Sequence, residues 1–189
     1  LRVGERLIYH ASDDGEMLTE LAKIYLERGE ARRALVKLNA LLHANPTDLS
    51  GLELLAETKP EAFFPGNADF EVIEPLEMAR LGKALGLPMV ASNLRPGFAE
   101  GFFRPSLMVT VGERRVLLLG LVAAADNEDV RSAVPVVDAV AAAEKAILAA
   151  ESEHGSIDLV VAFTDAGLRE LAEWRSAGLD VDGLGAARL

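Results

Sequence analysis

Ser106-Leu107-Met108-Val109-Thr110-Val111-Gly112-Glu113-Arg114-Arg115-Val116-Leu117-Leu118-Leu119-Gly120-Leu121 is the stretch that decides the fold. Two runs rich in β-branched and long aliphatic residues, 106–111 and 114–121, flank Gly112-Glu113, a pair suited to a tight turn between antiparallel strands. Working outward, 157–163 is continuously apolar and reads as a strand, as do 87–92, the short run 62–65 and a last segment, 180–184. Between them lie helical patterns at 75–85, ended by Gly86, at the Ala-rich 136–153, and at 167–176. Strands that alternate with helices and are apolar throughout predict an α/β fold: a mainly parallel sheet with helices on both faces.

The first third is different. Shifted by 34 residues, the sequence overlays Leu7 on Leu41, Ile8 on Leu42, Asp14 on Asp48, Leu18 on Leu52, Leu21 on Leu55 and Ala22 on Ala56. Leu21, Ala22, Tyr25, Gly29, Ala34, Leu38, Leu41 and Pro46 stand at the spacings of a tetratricopeptide repeat, and this segment resembles that family. Small Ala22 and Ala34 suit the closest approach of two antiparallel helices, with Tyr25 and Leu38 filling the layer beside them. Gly29 can take the left-handed conformation that ends a helix. Pro46 cannot continue one, and Thr47 or Asp48 can cap the next. The reading is a repeat tail over 2–11, a helical hairpin over 15–28 and 30–44, and a further helix from 48 to 57. Two domains follow: 1–57, an N-terminal α-helical hairpin module of tetratricopeptide type, and 58–189, the α/β domain. One and a half repeats are too few for a long peptide groove, so packing on the following domain is the expected role.

Composition narrows the function. A net charge of −11 over 189 residues, spread along the chain, opposes nucleic-acid binding, which needs clustered Lys and Arg. It equally opposes docking on anionic lipid. The absence of cysteine excludes disulfides, thiolate metal sites, cysteine nucleophiles and c-type haem attachment in this chain. The longest apolar run, 116–125, stops at Asp126 and is too short to span a bilayer, so no membrane insertion is expected. No signal peptide is visible, and a start at Leu1 rather than Met is expected of a processed form or a segment of something longer.

A second resemblance rests on five short motifs in order. Phe64-Pro65-Gly66-Asn67-Ala68-Asp69-Phe70-Glu71 looks like the Gly-Asn-His-Glu-Phe-Asp motif of 5′-nucleotidases and related calcineurin-like phosphoesterases. Val90-Ala91-Ser92-Asn93-Leu94 is similar to that family's strand ending in Ala-Asn, and 116–121 to its Gly-x-x-Val-Gly-Val-Ile-Gly-like strand. Segment 160–167 resembles its Leu-Ser-His-x-Gly strand end, and 179–188 its Val-Asp-x-Ile-Ile-Gly-Gly-His-Ser-His. The match covers about residues 58–189 and implies a degenerate metallophosphatase-like domain. It also implies a periplasmic or extracellular setting, because such nucleotidases are mostly exported.

Two-metal phosphoester hydrolysis needs a bridging carboxylate and several His, Asp and Asn ligands holding cations about 3.5–4 Å apart. It also commonly uses a His on the leaving group. Carried over position by position, the resemblance keeps Asn67 as a ligand-type residue. It puts Ala68 in place of the catalytic His, Asp69 in place of the Glu, Asp165 in place of a metal-binding His, and Ala186 and Arg188 in the last two His positions. Arginine stays protonated and cannot ligate a cation. Forcing the family's opening motifs onto Ser12-Asp13-Asp14-Gly15 and Asn45-Pro46 supplies no bridging carboxylate either. His10, His43 and His154 match no ligand position and are expected at the surface or at helix ends.

The expectation is therefore a non-catalytic scaffolding or assembly module with no cofactor and no metal, whose partner is a protein or another copy of itself. Two alternatives stay open. One is phosphate or nucleotide binding in a remnant crevice formed by Asn67, Asp69, Asp165 and Arg188, where Asp165 and Arg188 could equally close the site as an ion pair. The other is a metal-dependent phosphoesterase completed by sequence outside this chain. The aromatics Phe98, Phe102 and Phe103 are expected to anchor their loop to the core, the charged segment 126–132 to be a loop, and Trp174 to be packing.

Overall fold

The computed structural model describes residues 14–45, 48–99, 101–125 and 128–186. The expected helical tail over 2–11, with His10, lies outside them, as do Pro46, Thr47 and Arg188. By its internal contacts the chain divides into two compact units. One comprises Leu1–Pro60, Leu85–Leu87 and Leu189, the other Glu61–Ala84 and Pro88–Arg188.

The first unit contains α1 (Gly15–Glu27), α2 (Ala31–Ala44) and α3 (Leu49–Glu57). Asp14 caps α1 by accepting the Met17 N–H at 3.1 Å, and Asp48 caps α3 by accepting from Gly51 at 2.7 Å. Gly29, at φ 72°, turns the chain between α1 and α2, while the Glu30 N–H reaches back to the Tyr25 carbonyl at 2.8 Å. Leu18, Leu21, Ala22 and Tyr25 of α1 are buried, as are Ala34, Leu38, Leu41 and Leu42 of α2. Fully covered Ala22 and Ala34 accompany the large ring of Tyr25 and the side chain of Leu38, so small and large residues share the hairpin core.

The second unit is mixed α/β. Its four-stranded sheet has the order β3 (Leu107–Val111), β4 (Arg114–Leu121), β5 (Leu159–Thr164), β6 (Gly183–Ala186). The pair β3–β4 is the expected antiparallel hairpin, with Val111 opposite Arg114 and Gly112 at φ 65°. β4, β5 and β6 run parallel, with Gly120 beside Phe163 and Thr164 beside Ala186. A separate two-stranded parallel sheet pairs β1 (Met89–Val90) with β2 (Phe103–Arg104).

The expectation of one sheet with helices on both faces is corrected. Leu117, Leu119 and Leu121 of β4 pack with Ala139, Val140, Ala143, Ala146 and Ala150 of α7 (Ala139–His154), and half-buried Trp174 of α8 (Leu168–Ser176) joins them. Met89 of β1 packs instead with Phe70 of α4 (Asn67–Val72), Met78 of α5 (Pro75–Leu85) and Val130 of α6 (Glu128–Ala133). Helices thus pack on each of two sheets, where a single sheet was expected.

The reason is local. Pro88 lacks an N–H, and the Ser92 N–H leaves the small sheet for the Gly120 carbonyl at 2.6 Å, so the expected strand over 87–92 shrinks to two residues. Likewise 62–65 contributes only a bridge from Phe63 to Met89 before Pro65. Segment 126–132, expected to be a loop, contains α6, whose Arg131 donates to the Ala125 carbonyl through Nε at 2.9 Å and Nη2 at 2.6 Å.

Gly120 holds the two sheets together. A Cβ built there would lie 2.1 Å from the Val90 carbonyl oxygen, a backbone atom that cannot swing aside. Gly120→Ala should therefore destabilise the protein by about 1–3 kcal/mol or more, as overpacking does. Gly167→Ala, with nothing within 4 Å, is the comparison: it loses only a helix N-cap preference and should lower the urea midpoint less than Gly120→Ala. Chemical unfolding of the two variants checks this.

Candidate functional site

Three of the four candidate residues lie beyond the carboxyl ends of parallel β4 and β5, where ligands of α/β proteins commonly bind. Asp165 follows β5 directly. One of its oxygens accepts the Asn67 N–H, and the other accepts the Ala123 N–H at 2.9 Å. Gly66 makes this possible, because a Cβ at that position would sit 2.9 Å from Asp165 Oδ2. On the same two segments, Phe64 stacks on Phe163 with ring centroids 4.2 Å apart and planes 21° apart.

Asp69, in the first turn of α4, reaches back to accept the Gly66 N–H at 2.8 Å. Burial pushes its carboxyl above the usual carboxylate range. The Gly66 N–H opposes that shift, and the negative charge of Asp165 adds to it. The half-buried Asn67 side chain makes no hydrogen bond among the described residues. Arg188 lies outside the described residues, and so does the expected Asp165–Arg188 ion pair. Ala186 is placed by its backbone alone, opposite Thr164 and one residue short of Asp165.

Asn93 enters the sequence reading only as part of a motif, and the structure gives it a structural task. It is buried, accepts the Val122 N–H at 2.8 Å and donates to the Val122 carbonyl at 2.8 Å. Ser92 beside it accepts from Gly120 N–H at 3.1 Å. Position is the available signal: a polar pair ending an apolar run must find partners if buried. Sequence reasoning misses Ala123 altogether, because its part is played by a backbone N–H that no side chain advertises. His43 and His154 are exposed, and Phe103 packs edge-on against Phe70 as an anchor, with centroids 6.4 Å apart.

Among the described residues the donor set is sparse for a two-cation centre. Both oxygens of Asp165 already serve backbone N–H groups. Among the described residues no group of three or more His, Cys, Asp or Glu side chains is placed to hold a metal ion.

No protein-family model matches the chain, and no curated protein does. Solved structures do. The chain is similar to a 5′-nucleotidase precursor from Thermus thermophilus, with TM-score 0.54 and 23% identity over 70% of this chain and 27% of that one. It is also similar to an NAD nucleotidase from Haemophilus influenzae, with TM-score 0.50 and 20% identity over 66% of this chain and 22% of that one. The chain thus spans about a quarter of the length of these proteins. At such identities the likeness is one of fold, and the chain has a partial nucleotidase-like fold.

Two outcomes follow from the geometry. Asp165→Asn turns one acceptor into a donor facing a backbone N–H and should cost about 1–3 kcal/mol in urea unfolding. Asp69 supplies a pH signature. A carboxyl whose folded pKa is raised contributes stability that is fully present below its unfolded value, near 3.8, and is lost as pH rises through the folded value. Wild type should therefore gain stability relative to Asp69→Asn as pH falls from about 7 to about 4. Parallel curves for the two proteins would refute the assignment.

Proposed function

We propose that this chain is a non-catalytic module, built from a degenerate nucleotidase-like domain and tetratricopeptide-like helices, that serves in scaffolding or assembly with a protein partner or with itself. The observation that carries this reading is the occupation of Asp165. At the position where the resemblance expects a metal-binding His, a carboxylate spends both oxygens on the Asn67 and Ala123 N–H groups. A carboxylate so engaged ties chain segments together, and it stands where the resemblance expects an imidazole. The replacement of His by Ala68, Ala186 and Arg188 at the matching positions supports the same reading, as does the sparse donor set among the described residues.

The hairpin of α1 and α2 offers a helical surface of the kind that repeat proteins use for partners. Among the described residues no helix is long and apolar enough to cross a membrane. We propose a setting outside the cytoplasm, by analogy with exported nucleotidases.

Assays with nucleoside monophosphates and a chromogenic phosphomonoester, each with added manganese, magnesium or zinc, should give rates equal to the protein-free blank. Metal-dependent turnover that co-purifies with the chain and is removed by chelator would end this reading.

A further inference from the structure

A groove of about 480 Å3 opens beside Ser92, and none of Gly66, Asn67, Asp69, Ala123 or Asp165 lines it. One wall is the turn-rich segment that holds Leu94, Phe98 and Phe103. The other is the small-residue face of α7, with Ala142, Ala146 and Ala149. That face leaves room because alanine adds only a methyl group beyond the helix backbone. The volume lies within the roughly 300–1,000 Å3 typical of small-molecule sites, and the lining is mostly apolar.

Its charged groups are asymmetric. Arg95 stands on the loop wall and Lys145 on the helix wall. Both are exposed, and neither has an ion-pair partner among the described residues. The carboxylate that shares the lining, Asp138, is committed to the helix start, where it accepts the Ala141 N–H at 2.8 Å. In a chain of net charge −11, a lining with two cations and one carboxylate carries a net positive charge.

The loop wall is built from turns. Gly97 and Gly101 lie at φ 81° and Ala99 at φ 45°, so the turn carrying Phe98 is set by left-handed residues rather than by a strand or helix. Val137 at the rim keeps 40% of its surface exposed, apolar area that an occupant would cover.

We infer that this groove binds a single-chain amphiphile with an anionic head, of the medium-chain carboxylate class, the chain lying between Phe98 and α7 and the carboxylate between Arg95 and Lys145. Charge complementarity selects the head group, because a carboxylate gains charge-assisted hydrogen bonds from both cations. The apolar walls select the tail.

Titration calorimetry with decanoate, below its micellar concentration and near neutral pH, tests the site. Saturable one-to-one binding is expected, weakened at least about ten-fold by the double variant Arg95→Glu/Lys145→Glu. Both side chains are exposed, so that variant should keep the wild-type circular dichroism. Ala142→Leu, which narrows the groove without touching charge, should weaken binding independently. Decyltrimethylammonium, with the same tail and opposite head, should bind at least about ten-fold more weakly. Absence of saturable decanoate binding, an unchanged affinity in the double variant, or equal affinity for the cationic amphiphile would overturn the assignment. Tighter binding of acetyl-trileucine than of decanoate would overturn it in favour of a peptide. None of these readouts depends on phosphatase activity, so this site and the proposed function stand or fall separately.

Discussion

The second unit depends on a carboxylate placed where two chain segments cross. Asp165 sits at the end of β5, and its two oxygens take N–H groups from the 66–67 turn and from the residue after Val122. A charged acceptor for backbone N–H groups is worth about 1.5–3 kcal/mol per bond, more than a neutral one. The Phe64–Phe163 stack lies two to three residues back along the same two segments, so an aromatic contact and a carboxylate clamp act on one crossing. Ser92 and Asn93 repeat the device on the next segment, the first bound to Gly120 and the second to Val122. Two segments are thus tied by three side chains to the backbone at the end of β4, and Gly120 and Gly66 are positions where a Cβ would forbid the approach.

This arrangement constrains what the candidate site can do. Polar side chains at strand ends in an α/β fold are the raw material of binding sites. Here most of them are already partnered: Asn93, Asp165 and Asp69 each serve backbone groups, while the Asn67 side chain has no such partner among the described residues. Residue types at the site therefore say less than their partners do. Asp165 satisfies two amides at a position where the resemblance expects a ligand, so its structural task is visible from its partners and not from its residue type.

What can be read from the sequence follows the same division. Helix 75–85 is legible to the residue because Pro75 and Gly86 bound it, and strand 114–121 starts where the Gly112-Glu113 turn ends. The strand over 87–92 reads too long, because the loss of its ends is a tertiary effect: Ser92 turns to Gly120, a partner 28 residues away. α4 and α6, six residues each, are too short to show a helical period. The separation into two sheets is not legible at all, since strand patterns do not state which strands pair. At the site, Asn67, Asp69 and Asp165, singled out by the motif order, lie near one another. Their partners stay hidden because Ala123, Gly66 and Val122 act through backbone atoms.

The electrostatics of the crossing explain how the fold tolerates two neighbouring carboxylates without a counter-ion among its described partners. Their mutual repulsion would be smallest if a cation lay between them. In its place the chain offers peptide N–H groups, each a partial positive charge held at fixed geometry. Asp165 takes two of them and Asp69 takes one. The proton affinity of Asp69 rises because that single donor does not offset burial and the neighbouring charge. The donors are thus divided unequally. Burial is the largest cause of the raised proton affinity of Asp69. Protonation there removes its repulsion with Asp165, while the Gly66, Asn67 and Ala123 N–H groups still face the two side chains.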